Sequence, residues 1–224
     1  MIFYGEDSKR IEYKLGDLIS EEGQYGRVYR LAGTDDECIK VYKKGEVVDD
    51  KILKYIRDLD LKNFYKLYKM LYGRTGKFRA HTMKYYESAD IDILTMPVEY
   101  TLCSLCNLYE SVVRLAEEHI YASDMHIGNV ILGRDEIVVI DTDIYSYSEL
   151  QSIEQLKKKN ISALRYLFRE LYLNALSEYH PDIAKYSVRQ EITSLFGGYG
   201  PFNLDSTCNR LTRYKRPYDC INKR

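Results

Sequence analysis

Asp124 and Asn129 stand five residues apart in the segment YASDMHIGNVILGRDEIVVIDTD, and Asp141 brings a further carboxylate near its end. Two apolar runs, 129–132 and 137–140, flank the turn signal Gly133-Arg134-Asp135-Glu136. A hairpin closed by that turn pairs 132 with 137 and 131 with 138, and it brings 129 opposite 140 or 141. Asn129 and Asp141 then emerge side by side from one end of the ladder. An amide oxygen beside a carboxylate suits Mg²⁺, which takes hard oxygen ligands and keeps several waters. Asp124, in the loop just before, is placed to accept the proton of a hydroxyl. Taken singly, each residue has a plainer reading: Asp124 and Asn129 as loop caps, Asp141 as a strand-end turn residue. A D-x-x-x-x-N loop followed by a strand pair ending in Asp is a more specific arrangement.

The elements that must position these groups follow from periodicity. Residues Lys9 to Leu18 and Gly26 to Leu31 fit a hairpin, and Cys38-Ile39-Lys40-Val41-Tyr42 reads as the next strand after a turn at 33–36. Ile52, Leu53, Ile56 and Leu59 recur at helical spacing. Tyr65 to Tyr72 and Phe78 to Tyr86 read as strands around Gly73-Arg74-Thr75-Gly76. The second half is helical: Leu105, Leu108, Val112 and Leu115 form one stripe, Leu164, Leu167, Phe168 and Leu171 another, and a further helix fits 182–196. A β-rich half before a helical half predicts an α+β chain in two lobes, divided near Tyr86 to Asp92.

Composition bounds the possibilities. With 33 Lys+Arg against 34 Asp+Glu in 224 residues the formal charge is −1, which excludes a globally basic nucleic-acid binder. Five Cys is an odd number in a chain too long to need disulfide staples, so a reduced, cytoplasmic setting is expected. Delivery to another cell stays open. No apolar run approaches the ~20 residues of a membrane span, and the opening MIFYGEDSKRIEYK lacks the pattern of a signal peptide. Cys103 and Cys106 form a lone C-x-x-C, for which core packing is the expectation. The basic tail from Asn209 to Arg224 reads as a solvated terminus or a dock for an acidic partner.

The order of these motifs resembles the protein-kinase-like superfamily. There a catalytic-loop Asp accepts the substrate proton, an Asn five residues on holds Mg²⁺, and an Asp opening the D-F-G motif holds Mg²⁺ as well. Asp124, Asn129 and Asp141 match those positions one by one. EEGQYGRVYRL is similar to the Gly-rich loop G-x-G-x-x-G-x-V, with Gly23, Gly26 and Val28 at its second, third and Val positions. Fourteen residues on, CIKVY is similar to the V-A-I-K strand and puts Lys40 at the phosphate-pairing position. The likeness runs from about Leu18 to Asp143. It implies one kinase-like domain over 1–224, with an N-lobe of about 1–85, a hinge at about 83–88 and a reduced C-lobe of about 89–224. ATP and Mg²⁺ are the implied cofactors. Backbone groups of the hinge, with Met83 and Tyr85, are implied to meet the adenine and Ile131 to lie beneath it. Glu46, Asp49 or Asp50 is implied as the acid paired with Lys40.

The departures narrow the kind. Glu21 stands for the first glycine, Ala122-Ser123-Asp124 for H-R-D, and Asp141-Thr142-Asp143 for D-F-G, and no A-P-E follows. Asp143 reads either as a second metal ligand or as a solvated turn carboxylate. His126 makes the loop D-x-H-x-x-N, which resembles aminoglycoside, choline and some atypical kinases. Only about eighty residues follow Asp143, an open layout that suits a protein substrate. The expectation is an atypical serine/threonine protein kinase, small and of bacterial or effector type. The alternatives are a small-molecule kinase and a non-catalytic pseudokinase. Oligomeric state is not fixed by the sequence.

Overall fold

The computed structural model describes residues 1–20, 25–46, 48–89, 91–179 and 186–197. Gly23, Glu21, Gly198, Gly200 and the tail from Asn209 lie outside them. The chain divides into two units: Met1–Leu61 with Tyr65–Tyr86, and Lys62–Phe64 with the chain from Glu87 onward.

The first unit holds β1 (Ile2–Tyr4), β2 (Arg10–Glu12), β3 (Leu15–Ser20), β4 (Gly26–Leu31), β5 (Glu37–Tyr42), α1 (Asp50–Leu59), β6 (Leu67–Tyr72) and β7 (Phe78–Lys84). All seven strands join one antiparallel sheet in the order β2-β1-β6-β7-β5-β4-β3. Only Tyr13 and Lys14 separate β2 from β3, yet these strands are the two edges of the sheet. Six strand spacings laid flat measure roughly 29 Å, and three Cα steps reach about 11 Å. The sheet therefore curls until its edges approach. Tyr13 N–H donates to the Met1 carbonyl at 2.9 Å and Ala32 N–H to the Lys14 carbonyl at 3.0 Å, which ties the connection to both edges. Phe3, Leu31, Ile39, Leu71 and Ala80 fill the inside of the curl, with Ile11, Tyr13, Leu15, Tyr29 and Val41 packed against them.

Helix α1 buries the four aliphatics that its spacing singles out, Ile52, Leu53, Ile56 and Leu59, each contributing about 2 kcal/mol. Asp49 caps its start by accepting from Lys51 N–H at 3.0 Å. Asp60, at φ 47°, ends it in the left-handed conformation.

The second unit holds α2 (Val98–Glu117), β8 (Ile120–Tyr121), β9 (Val130–Leu132), β10 (Ile137–Val139), β11 (Ser146–Tyr147), α3 (Ile153–Tyr179) and α4 (Tyr186–Phe196). Leu105, Leu108, Val112 and Leu115 of α2 are fully buried, as are Leu164, Leu167 and Phe168 of α3. Phe196 of α4 lies 6.0 Å from the Phe168 ring and 5.6 Å from Tyr172. Cys103 and Cys106 depart from the core role expected of them. Cys103 is exposed and Cys106 half-buried, because they ride the outer face of α2 while Leu105 and Leu108 face in. Among the described residues no helix is long and apolar enough to cross a membrane.

The hairpin of β9 and β10 pairs Leu132 with Ile137, Ile131 with Val138 and Val130 with Val139. Residues 62–64 bind it to α2. Asn63 Nδ2 donates to the Ile137 carbonyl at 2.8 Å and to Ser104 Oγ at 3.2 Å, and Asn63 Oδ1 accepts from Asn107 at 2.8 Å. Val139 N–H donates to the Asn63 carbonyl at 2.8 Å.

Candidate functional site

The loop from Ala122 to Asn129 leaves β8 and enters the hairpin. Its start is fixed by one side chain of α3. Asn160, fully buried, accepts from Ala122 N–H at 3.0 Å and donates to the Ile120 and Val112 carbonyls at 3.0 and 3.1 Å. A buried amide with all three bonds made is a rigid brace, since losing any of them would strand a polar group away from water.

Asn129 fixes the loop's other end. Its Nδ2 donates to the Asp124 carbonyl at 3.0 Å and to Asp124 Oδ2 at 2.8 Å. Ile140 N–H donates to the Asn129 carbonyl at 2.8 Å, so the ladder continues one step past β9 and β10. Residue 129 thus faces 140, the first of the two registers the turn arithmetic allowed. Asp141 follows at once with φ 58°, a conformation that Asp adopts more readily than most residues.

His126 joins the same network. Gly128 N–H donates to His126 Nδ1 at 3.1 Å, which makes Nδ1 an acceptor and leaves Nε2 protonated, 3.4 Å from Asp124 Oδ1. A Cβ on Gly128 would sit 2.9 Å from His126 Cε1, so glycine is what lets the backbone approach the ring. Asp124 therefore has Asn129 at one carboxylate oxygen and His126 near the other.

The segment after Asp141 folds back on the loop. Ser123 Oγ donates to the Ile144 carbonyl at 2.8 Å, and Tyr145 N–H to the Thr142 carbonyl at 3.1 Å. Asp143 is buried, which corrects the reading of it as a solvated turn carboxylate. Tyr145, fully buried with its ring edge-on to Phe64 at 6.4 Å, was not foreseen. Burial pushes its phenol well above the usual range, and the charges of Asp124 and Asp141 add to the rise. Asn160 was missed as well: an Asn within a helical stripe gives no sign that its partners are backbone groups about forty residues away.

The first unit carries the remaining candidates. Lys40 is buried on β5, between Val28 of β4 and His81 of β7 in register. Its ammonium lies 5.9 Å from the Tyr42 ring, and the Tyr42 hydroxyl is 3.0 Å from His81 Nδ1. Gly26 has a structural reason to be glycine: a Cβ there would stand 2.7 Å from the Val41 carbonyl oxygen. Val28 is half-buried on β4 and Ile131 half-buried on β9.

Two of the three acids expected beside Lys40, Asp49 and Asp50, are engaged elsewhere. Asp49 caps α1, and Asp50 binds Lys54 at 2.8 Å and accepts from the Tyr72 hydroxyl at 2.8 Å. Neither forms an ion pair with Lys40, because both sit at the helix start, where local donors are nearer. The hinge groups are likewise occupied. Tyr85 N–H donates to the Asp36 carbonyl at 2.6 Å, and the Tyr85 ring is covered by the Arg30 guanidinium at 3.2 Å. The Met83 carbonyl accepts from the Cys38 thiol at 3.7 Å, a group whose pKa burial pushes up to about 12.

Among the described residues no group of three or more His, Cys, Asp or Glu side chains is placed to hold a metal. The donor set of the second unit still fits a hard cation. With Asn129 Nδ2 turned to Asp124, the amide's other atom is an oxygen, and Asp141 adds a carboxylate just past the ladder. Two such ligands completed by waters are a common way to hold Mg²⁺. A scan against protein-family models finds none that matches this chain, and a search among curated proteins returns no match either.

Proposed function

We propose that the chain is a two-lobe, kinase-like phosphotransferase that moves the γ-phosphoryl group of ATP to a hydroxyl, with serine or threonine of a protein as the acceptor. The observation that carries this reading is the coupling of Asp124, Asn129 and Asp141. Asn129 holds Asp124 through its side chain and the strand entering Asp141 through its backbone, so one residue ties the carboxylate of Asp124 to the strand end that leads into Asp141. In the first unit, β3, β4 and β5 form an antiparallel meander with Lys40 on its third strand, which supports the reading of that lysine.

The acceptor oxygen attacks the γ-phosphorus while the bond from phosphorus to the β,γ-bridging oxygen breaks, and ADP leaves. Asp124 takes the hydroxyl proton, oriented by Asn129 on one oxygen and by His126 near the other. Lys40 is the cation for the phosphates, and its burial keeps its charge from being screened by water. Asn129 and Asp141 are the residues that would hold Mg²⁺, which when bound neutralises phosphate charge.

Thermal unfolding with ATP, with and without Mg²⁺, tests the reading in wild type and Asp141→Asn. A ligand at 100 times its Kd adds roughly 2.7 kcal/mol, several degrees of Tm at this size. A Mg²⁺-dependent rise that the variant loses supports the site, and no rise in either protein overturns it. A second reading is nucleotide binding without turnover, since Glu21 stands for the first glycine and Ala122-Ser123-Asp124 for H-R-D. A transfer assay on the ATP-bound protein separates the two.

A further inference from the structure

The first unit contains a cavity that this reaction does not use. It measures about 300 Å³ and is lined by Tyr4, Glu6 and Ser8 of β1 and the turn after it, Lys54 of α1, and Tyr72 and Arg74 where β6 turns toward β7. That is roughly ten times the ~30 Å³ share of a water molecule, room for a small organic anion rather than a bare ion.

The charges on its walls do not cancel. The Glu6 carboxylate is taken by Arg57, which donates to it from α1. Lys54 is held by Asp50 at 2.8 Å and also meets the Tyr72 hydroxyl, but an ammonium has three N–H donors, so one is left over. Arg74 makes no hydrogen bond or ion pair among the described residues, and its guanidinium offers five N–H donors in a planar fork. The turn that carries it is well fixed: Gly73 N–H donates to the Lys77 carbonyl at 2.8 Å and Gly76 N–H to the Gly73 carbonyl at 2.9 Å. Gly76 has φ 75°, which glycine adopts without strain.

We propose that this cavity binds a phosphomonoester, with Arg74 gripping the phosphate and Lys54 supplying the second cation. A guanidinium fork takes phosphate bidentately, a dianion is attracted to two cations more strongly than a monoanion is, and the Tyr4 and Tyr72 side chains offer a surface for the organic part. The occupant is tied to α1, because the lysine it meets is the one that holds Asp50. The proposal stands independently of phosphoryl transfer.

The test uses the full chain titrated with O-phosphoserine by calorimetry, with acetate at matched ionic strength as the comparison. Saturable binding of O-phosphoserine is expected, with acetate at least about tenfold weaker. Arg74→Glu should weaken binding by about tenfold or more, the loss of one charge-assisted contact. Arg74 lies on an exposed turn, so the variant folds, and unchanged Tm verifies this. Lys54→Gln should act in the same direction, while Lys62→Ala, a charge control in the second unit, should leave binding as it is. No saturable binding, equal response to acetate, or indifference to Arg74→Glu overturns the proposal. Loss in Lys40→Met with Arg74→Glu silent assigns the phosphate to the nucleotide site and overturns it too.

Discussion

Asn129 holds Asp124 twice, through the backbone carbonyl at 3.0 Å and through the carboxylate at 2.8 Å, with the same amide nitrogen. The five-residue spacing is what permits this. A single turn of 3-10 helix over Ile127–Asn129 brings the amide back over the residue that opens the loop. The pair is therefore a geometric unit, and the two residues should fail together.

Asp124→Ala should abolish phosphoryl transfer and leave ATP binding intact, since the carboxylate serves the acceptor hydroxyl and not the nucleotide. Asn129→Asp should cost at least about a hundredfold in rate, the lower end of what a positioned general base contributes. It replaces a donor to Asp124 by a second negative charge. Radiolabel transfer beside a nucleotide-binding titration measures both. Near wild-type turnover in Asp124→Ala would remove it as the base.

Asn160→Ala should destabilise the protein by about 3 kcal/mol, because it strands the Ala122 N–H and the Ile120 and Val112 carbonyls in a buried place. At this chain length that is a fall of roughly 10 °C in Tm. Asn160→Asp keeps the acceptor for Ala122 but turns a charge toward two carbonyls, so it should be no milder. A loss under about 0.5 kcal/mol in both would mean that these groups find other partners.

What the sequence made legible was what is local. The helix α1 was readable because Ile52, Leu53, Ile56 and Leu59 repeat at helical spacing, and those four are buried. The β9–β10 register was readable because a four-residue turn leaves little freedom in pairing. Strand β1 was not, since three residues carry no period, and its partners are β2 and the distant β6. The curl of the sheet was hidden for the same reason: it depends on which strands become edges, a long-range outcome. Around the candidate site, Asp124, Asn129 and Asp141 were visible as types at a spacing. Asn160 and Tyr145 were not, because their roles come from burial against residues far along the chain.

The Asp50–Lys54–Tyr72 group should give stability a double pH limit. Burial pulls the Asp50 pKa upward, but hydrogen bonds from Lys54 and Tyr72 outweigh this and hold it below the ordinary 3.8. Its contribution is complete above that value and is lost as pH falls through the lowered one. The hydrogen bond to Asp50 is the main cause that raises Lys54 above the ordinary 10.5. That contribution is complete below 10.5 and is lost as pH rises through the raised value. The stability difference between wild type and Asp50→Asn should therefore be flat from about pH 5 to 9 and shrink on both sides. Urea denaturation across pH checks it, and a difference that grows toward acid would contradict the assignment.

Gly26→Ala separates two reasons for one glycine. In the phosphate loop of the resemblance, glycine lets backbone N–H groups reach phosphate oxygens. In this sheet the same residue faces Tyr42 in register, and an added Cβ would stand 2.7 Å from the Val41 carbonyl oxygen and 3.3 Å from the Tyr42 Cα. Both neighbours are backbone of β5, so no side-chain rotation relieves the clash, and the strand that carries Lys40 must move. Packing alone then predicts a loss of about 2 kcal/mol without any nucleotide present. It also predicts that ATP affinity falls as a secondary effect of a displaced Lys40. Denaturation of the unliganded variant decides between them. A measurable loss assigns Gly26 to the sheet, whereas unchanged stability with ATP binding lost assigns it to phosphate approach.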